Sequence, residues 1–128
     1  MTRRERIYNK YGGICAYSGT RLESDWQIEH INPVIRDLRT GKITIKINDS
    51  EENIVPIQRL INNYKHSMSL EQFRKFLFHM HERLQKLPRN PVTEKSKKRK
   101  KYLLQISGYF RITNDCPFSG KFYFETLN

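Results

Sequence analysis

Trp26-Gln27-Ile28-Glu29-His30-Ile31-Asn32-Pro33 is the stretch on which the reading of this chain turns. It alternates as a short strand, with Trp26, Ile28 and His30 on one face and Gln27 and Glu29 on the other. Glu29 and His30 would therefore diverge in a regular strand. They can serve one site only if the strand ends or bends beside them, and Asn32-Pro33 supplies a reason for it to do so.

Working outward from that strand end, Thr2-Arg3-Arg4-Glu5 fits a capping box opening a helix to about Tyr11, with Gly12-Gly13 as its stop. Arg3, Arg4, Arg6 and Lys10 on that helix are candidates to meet phosphates; a solvated helix face is the plain alternative. Ile14-Cys15-Ala16-Tyr17 reads as a short strand turning at Ser18-Gly19. On the other side, 35–42 reads as a loop exposing Arg36, Arg39 and Lys42. Ile43-Thr44-Ile45-Lys46-Ile47 alternates as a strand, closed by Asn48-Asp49-Ser50. Asn53-Ile54-Val55-Pro56-Ile57 is a further strand, and a helix follows from about Gln58 to Lys65.

Ser69-Leu70-Glu71-Gln72 is a second capping box. Leu70, Phe73, Leu77, Met80 and Leu84 recur at helical spacing, so one helix to about Leu84 or Leu87 with a buried stripe is expected. His79 and His81 point to different sides of it and do not jointly hold a metal. After Pro88 and Pro91, the like-charge run Lys95-Ser96-Lys97-Lys98-Arg99-Lys100-Lys101 is expected as a solvated linker that engages phosphate. Tyr102–Ile106, Tyr109–Ile112 and Phe122–Glu125 look strand-like.

The chain is strongly basic: 24 Lys and Arg against 13 Asp and Glu leave a net charge of +11 over 128 residues. Such an excess calls for an anionic partner, most commonly nucleic acid. No apolar run is long enough to span a bilayer, and the charged N-terminus leads into no apolar segment, so neither a membrane nor a secretory role is expected. Cys15 and Cys116 lie far apart and do not read as a disulfide framework, which makes a reducing cytoplasm the expected compartment.

Three blocks in order resemble the HNH endonucleases, the ββα-metal nucleases, and in particular short phage-type HNH proteins. Tyr11-Gly12-Gly13-Ile14-Cys15-Ala16-Tyr17-Ser18-Gly19 is similar to the family's opening knuckle. Glu29-His30-Ile31-Asn32-Pro33 is similar to its D/E-H-I-x-P strand end. Asn53-Ile54-Val55-Pro56-Ile57 with Asn62-Asn63-Tyr64-Lys65 is similar to its N-L-x-P-L…C-N-x-x-K segment. The resemblance covers roughly Arg3 to Arg74. It implies an α+β fold with a ββα-metal (His-Me finger) core, a flanking N-terminal helix, a longer helix after the motif and a small C-terminal β appendage. The expected division is 1–87 for the nuclease core, 88–101 for a basic linker and 102–128 for a C-terminal β segment.

The resemblance also implies an enzyme, a metal-dependent endonuclease hydrolysing DNA phosphodiesters. His30 would be the general base on water, an imidazole titrating near neutrality. Glu29 and Asn62 would hold one divalent cation, Mg²⁺ or Mn²⁺, against the scissile phosphate and the leaving 3′ oxygen. Asn53 would brace the loop behind His30. Arg59, Asn63 and Lys65 would contact phosphates beside the cut, with Arg36, Arg3, Arg4, Lys97, Lys98 and Arg99 further out. The rival reading is a basic nucleic-acid-binding module that keeps the fold without the chemistry. Cutting both strands needs two active sites or one reoriented, so a homodimer is one arrangement the activity allows.

The chain departs from the family pattern at two places. Where zinc-bearing members have four cysteines, it has Cys15, Ser18, Gln58 and Ile61, which cannot make a structural zinc site. Hydrogen bonds and packing around Ile61 and Tyr17 are expected to hold the segments together instead. Cys116-Pro117-Phe118-Ser119-Gly120 repeats the pattern of Cys15 to Gly19 and is read as a second similar turn. The other departure is Glu29, where many members have Asp, which pushes the carboxylate outward by about a bond length against the narrow tolerance of metal geometry.

Overall fold

The computed structural model describes residues 1–32 and 50–127. Pro33, the 35–42 loop with Arg36, the expected Ile43–Ile47 strand and the turn at Asn48-Asp49 lie outside the described residues. The fold mixes helices with a two-stranded antiparallel sheet, an α+β arrangement. The chain divides into two compact units: 1–73 with 122–128, and 74–121.

In the first unit, helix α1 (Arg3–Asn9) starts on the expected capping box: Glu5 N–H donates to Thr2 Oγ1 at 3.1 Å, and Thr2 N–H donates to the Glu5 carboxylate. Ile7 is its buried residue. Lys10 Nζ donates to the carbonyls of Glu51 and Ile54, both at 2.8 Å, tying the helix to strand β2 (Ile54–Ile57). The expected strand over 14–17 is instead a tight excursion with a single bridge, Ile14 to Arg21. Leu22 N–H bonds to Gly13 O and Cys15 N–H to Thr20 O, so the chain doubles back too soon for a ladder. Gly19 permits this turn: its φ is +73°, and a Cβ there would lie 3.0 Å from the Tyr123 ring.

Strand β1 (Gln27–His30) pairs with β2 in the register Gln27↔Ile57, Ile28↔Pro56, Glu29↔Val55 and His30↔Ile54. Pro56 is tolerated because a two-stranded sheet has only edge strands, and its carbonyl accepts the Ala16 N–H at 2.9 Å. Helix α2 (Arg59–Lys65) follows β2 at once and packs on β1. Its inward side chains, Ile61 and Lys65, are four apart, one face of a helix.

The chain end closes this unit. Tyr123 N–H donates to Tyr17 O and Phe124 N–H to Ala16 O. Phe73 and Phe122 stack with centroids 5.7 Å apart, and Tyr17 lies 5.1 Å from Phe122. The expected strand at 122–125 is a 3-10 turn over Tyr123–Thr126, because Glu125 accepts the Phe122 N–H and closes the backbone locally.

The second unit is helical. The single helix expected after Ser69 forms with its capping box, Gln72 N–H to Ser69 Oγ at 3.2 Å, but is split into α3 (Leu70–Phe78) and α4 (Met80–Gln85). The break is at His79, whose ψ of 0° leaves the helical range. Helix α3 starts in the first unit and ends in the second.

The largest correction concerns the linker and the β appendage. Most of 88–101 and the first part of 102–128 form one helix, α5 (Glu94–Tyr109), capped by Thr93 accepting the Ser96 N–H. Leu103, Ile106, Ser107 and Phe110 are buried, a three-and-four spacing that follows one helix face and that the two-residue alternation of a strand cannot give. Like charges four apart cost a few tenths of a kcal/mol per pair in a helix. Lys and Arg are good helix formers and the buried stripe outweighs that cost. Lys100 Nζ also bonds the Pro88 and Arg89 carbonyls, at 3.0 and 2.7 Å. Among the described residues, no helix is long and apolar enough to cross a membrane.

Candidate functional site

Strand β1 ends at His30 and the chain bends over Ile31-Asn32. That bend is pinned by Asn53. Its Oδ1 accepts the Asn32 N–H and its Nδ2 donates to the Asn32 carbonyl, both at 2.9 Å, while its backbone carbonyl accepts the Ile31 N–H at 2.9 Å. A primary amide is the only neutral side-chain group that can donate and accept so as to mimic a paired strand. Asn53 thus continues the ladder one step past His30.

On the face of β1 turned to α2, two rungs join strand to helix. Asn62 Nδ2 donates to Gln27 Oε1. One turn on, Lys65 Nζ lies 3.2 Å from Glu29 Oε2 and 3.3 Å from the His30 carbonyl. Two strand residues rise about 6.6 Å and three helix residues about 4.5 Å, a difference that the long Lys65 side chain spans. Lys65 is 0% and Glu29 7% exposed. Glu29 Oε1 accepts the His30 N–H at 2.9 Å. Oε2 faces the ammonium without a hydrogen bond of good geometry. Burial pushes the Glu29 carboxyl above its ordinary value of 4.5, and the Lys65 charge only partly pulls it back. His30 is half-buried, and its charge is among the weaker influences that pull the Glu29 carboxyl down.

The donor types, a carboxylate oxygen without a good hydrogen bond and an amide on the facing helix, are those a hard cation that keeps most of its water takes, and among the described residues no group of three or more His, Cys, Asp or Glu stands ready to hold a metal ion. Lys65 stands at that same oxygen, so a metal ion and the ammonium compete for Glu29. This corrects the expectation that Lys65 meets phosphate: a fully buried ammonium spent on Glu29 and His30 offers nothing to a backbone outside. Neither the sequence pattern nor the resemblance signalled the pairing, because strand and helix residues 36 positions apart have no common period.

The remaining expected contacts are scattered. Arg59 and Asn63 are exposed on α2, Arg59 within 4.0 Å of Asp25. Arg4 lies 3.9 Å over the Trp26 ring and donates to the Trp26 carbonyl at 2.8 Å, which holds α1 on the start of β1 and commits the guanidinium. Arg3 is exposed on the same helix. Lys97, Lys98 and Arg99 are exposed on α5, in the other unit.

The four positions that would carry cysteines form a hydrogen-bonded knot. Gln58 is buried and uses its whole amide: Nε2 donates to Thr20 Oγ1 at 3.1 Å and Arg21 O at 2.7 Å, and Oε1 accepts the Glu23 N–H at 3.0 Å. Ser18 Oγ pairs with Thr20 Oγ1 at 2.7 Å. Cys15 and Ile61 are fully buried beside them. Cys116 is exposed and, like Cys15, a free thiol. Compared with protein-family models, with curated proteins and with solved structures, the chain matches none.

Proposed function

We propose that this chain is an HNH-type endonuclease that hydrolyses DNA phosphodiester bonds, with β1, β2 and α2 as a ββα-metal core. The observation that carries the reading is the Asn53 clasp on Asn32, which holds the bend directly behind His30. An imidazole that removes a proton from water must be held within tenths of an ångström, and a paired amide supplies that hold. His30 takes the proton; Asn53 orients the loop that carries it.

Glu29 and Asn62 would hold the Mg²⁺ or Mn²⁺ ion, whose chemistry when bound is to stabilise charge growing on the phosphate and the leaving oxygen. Lys65 keeps the buried Glu29 charged until then. Arg59 and Asn63, both exposed on α2, would contact backbone phosphates.

A specific observation favours the second reading, a binding module without cleavage: Lys65 already supplies Glu29 with a cation at 3.2 Å. A plasmid-nicking assay with Mg²⁺ or Mn²⁺ separates the two. Cleavage by wild type and its loss in His30→Ala are expected. If both leave supercoiled DNA intact while both bind it, the enzyme reading fails.

A further inference from the structure

The net charge of the chain is unevenly placed. The 74–121 unit holds thirteen Lys and Arg against Glu82, Glu94 and Asp115, a net +10. The other unit, with the candidate chemical site, holds eleven against ten, a net +1. Attraction for a polyanion is therefore carried by the 74–121 unit.

Within the helical unit, one cleft of about 300 Å³ is lined by Arg83, Lys86, Leu87, Pro88, Ser96 and Arg99. Three cations and a hydroxyl line it, and no carboxylate does. Glu82 faces His79 at 3.4 Å and Glu94 faces Lys97 at 3.3 Å. The wall is built, since Lys100 clasps the Pro88 and Arg89 carbonyls to α5. Arg83 is held flat, its guanidinium 3.9 Å over the Phe76 ring, and its Nη1 is buried with no acceptor.

We propose that this cleft seats a phosphate of a nucleic-acid backbone. Guanidinium forks from Arg83 and Arg99 suit phosphate oxygens, with Lys86 as a point charge and Ser96 as a hydroxyl donor. A single small anion would not account for Lys95, Lys97, Lys98 and Lys101, which stand exposed along the same helix. Sixteen residues give α5 a length of about 24 Å, enough to follow several phosphates. The inference rests on the nucleic-acid partner of the proposed function, but not on cleavage.

The test is fluorescence anisotropy of the full chain with a labelled DNA duplex in EDTA across a salt series. Lys86→Gln and Arg99→Gln, at exposed heads, are compared with Lys75→Gln, an equal charge change on exposed α3. Arg83→Gln is added with a melting curve, because it leaves Phe76. Each lost phosphate contact lowers the salt slope by about 0.9 and affinity at 0.1 M salt by about eightfold. Lys75→Gln is expected to change affinity less than twofold. Variants indistinguishable from Lys75→Gln overturn the seat. So does stronger binding to phosphatidylserine vesicles, or to inorganic phosphate, than to the duplex. Binding in EDTA involves no cleavage, so loss of the seat and loss of chemistry are told apart: only the nicking assay with His30→Ala reads the latter.

Discussion

Replacing Lys65 by Met tests the Glu29–Lys65 rung most directly. Met fills similar apolar volume and removes the charge, leaving Glu29 buried with only the His30 N–H on Oε1. Breaking a buried pair from one side typically costs about 3–5 kcal/mol. Here protonation sets a ceiling: neutralising a carboxyl of ordinary value 4.5 at pH 7 costs about 3.4 kcal/mol, at 1.36 per pH unit. Lys65→Met should thus destabilise by about 3 kcal/mol at pH 7 and by about 1 kcal/mol or less at pH 5, where protonation costs little. Adding Glu29→Gln should recover most of the loss at pH 7. Urea unfolding followed by Trp26 fluorescence reads this unit alone, because Trp26 is the single tryptophan and is buried at the start of β1. A cost that is the same at pH 5 and pH 7, or unchanged in the Glu29→Gln background, would refute the buried pair.

Glu29 also gives wild type its own pH signature. Its folded value lies above the ordinary one, so its contribution is fully present below about pH 4.5 and is lost as pH rises through the folded value. Relative to Glu29→Gln, wild type should lose stability over that window in urea melts; a gain would contradict the assignment. Gln58→Leu removes the amide partner of Glu23 N–H and Arg21 O, for a loss of about 2–6 kcal/mol at about 1–3 per group. A change under about 0.5 kcal/mol, the range of neutral surface sites, would show the knot to be ornamental. Asn53→Ala should speed amide exchange at Asn32 at least tenfold, the factor for about 1.4 kcal/mol, with Asn53→Asp intermediate because it accepts but no longer donates. Exchange unchanged in both would deny the clasp. Ile106→Ala should cost about 2–4 kcal/mol by circular-dichroism melting, since Ile106 is 0% exposed on α5. A solvated linker would lose almost nothing.

Much of the local structure is legible in the sequence because it rests on local rules. Thr2-Glu5 and Ser69-Gln72 name their capping boxes by spacing alone, and the alternation of Trp26 to His30 fits β1. The 94–109 helix is hidden because its Lys-rich start has the composition of a mobile linker, and the Leu103–Ile106–Phe110 spacing lies among strand-forming Tyr and Ile. Strand over 14–17 fails for the opposite reason: the residues suit a strand, but Gly13 and Gly19 turn the chain before a partner can pair.

By itself, the sequence determined where helices start, which residues alternate and that the chain is strongly basic. These follow from capping, side-chain period and charge, which act within a few residues or as a sum. Only the tertiary structure decided that Lys65 is buried against Glu29, that Gln58 ties Thr20, Arg21 and Glu23 together, and that the positive charge gathers in the 74–121 unit. Each depends on residues brought together across tens of positions, and no local period encodes that distance.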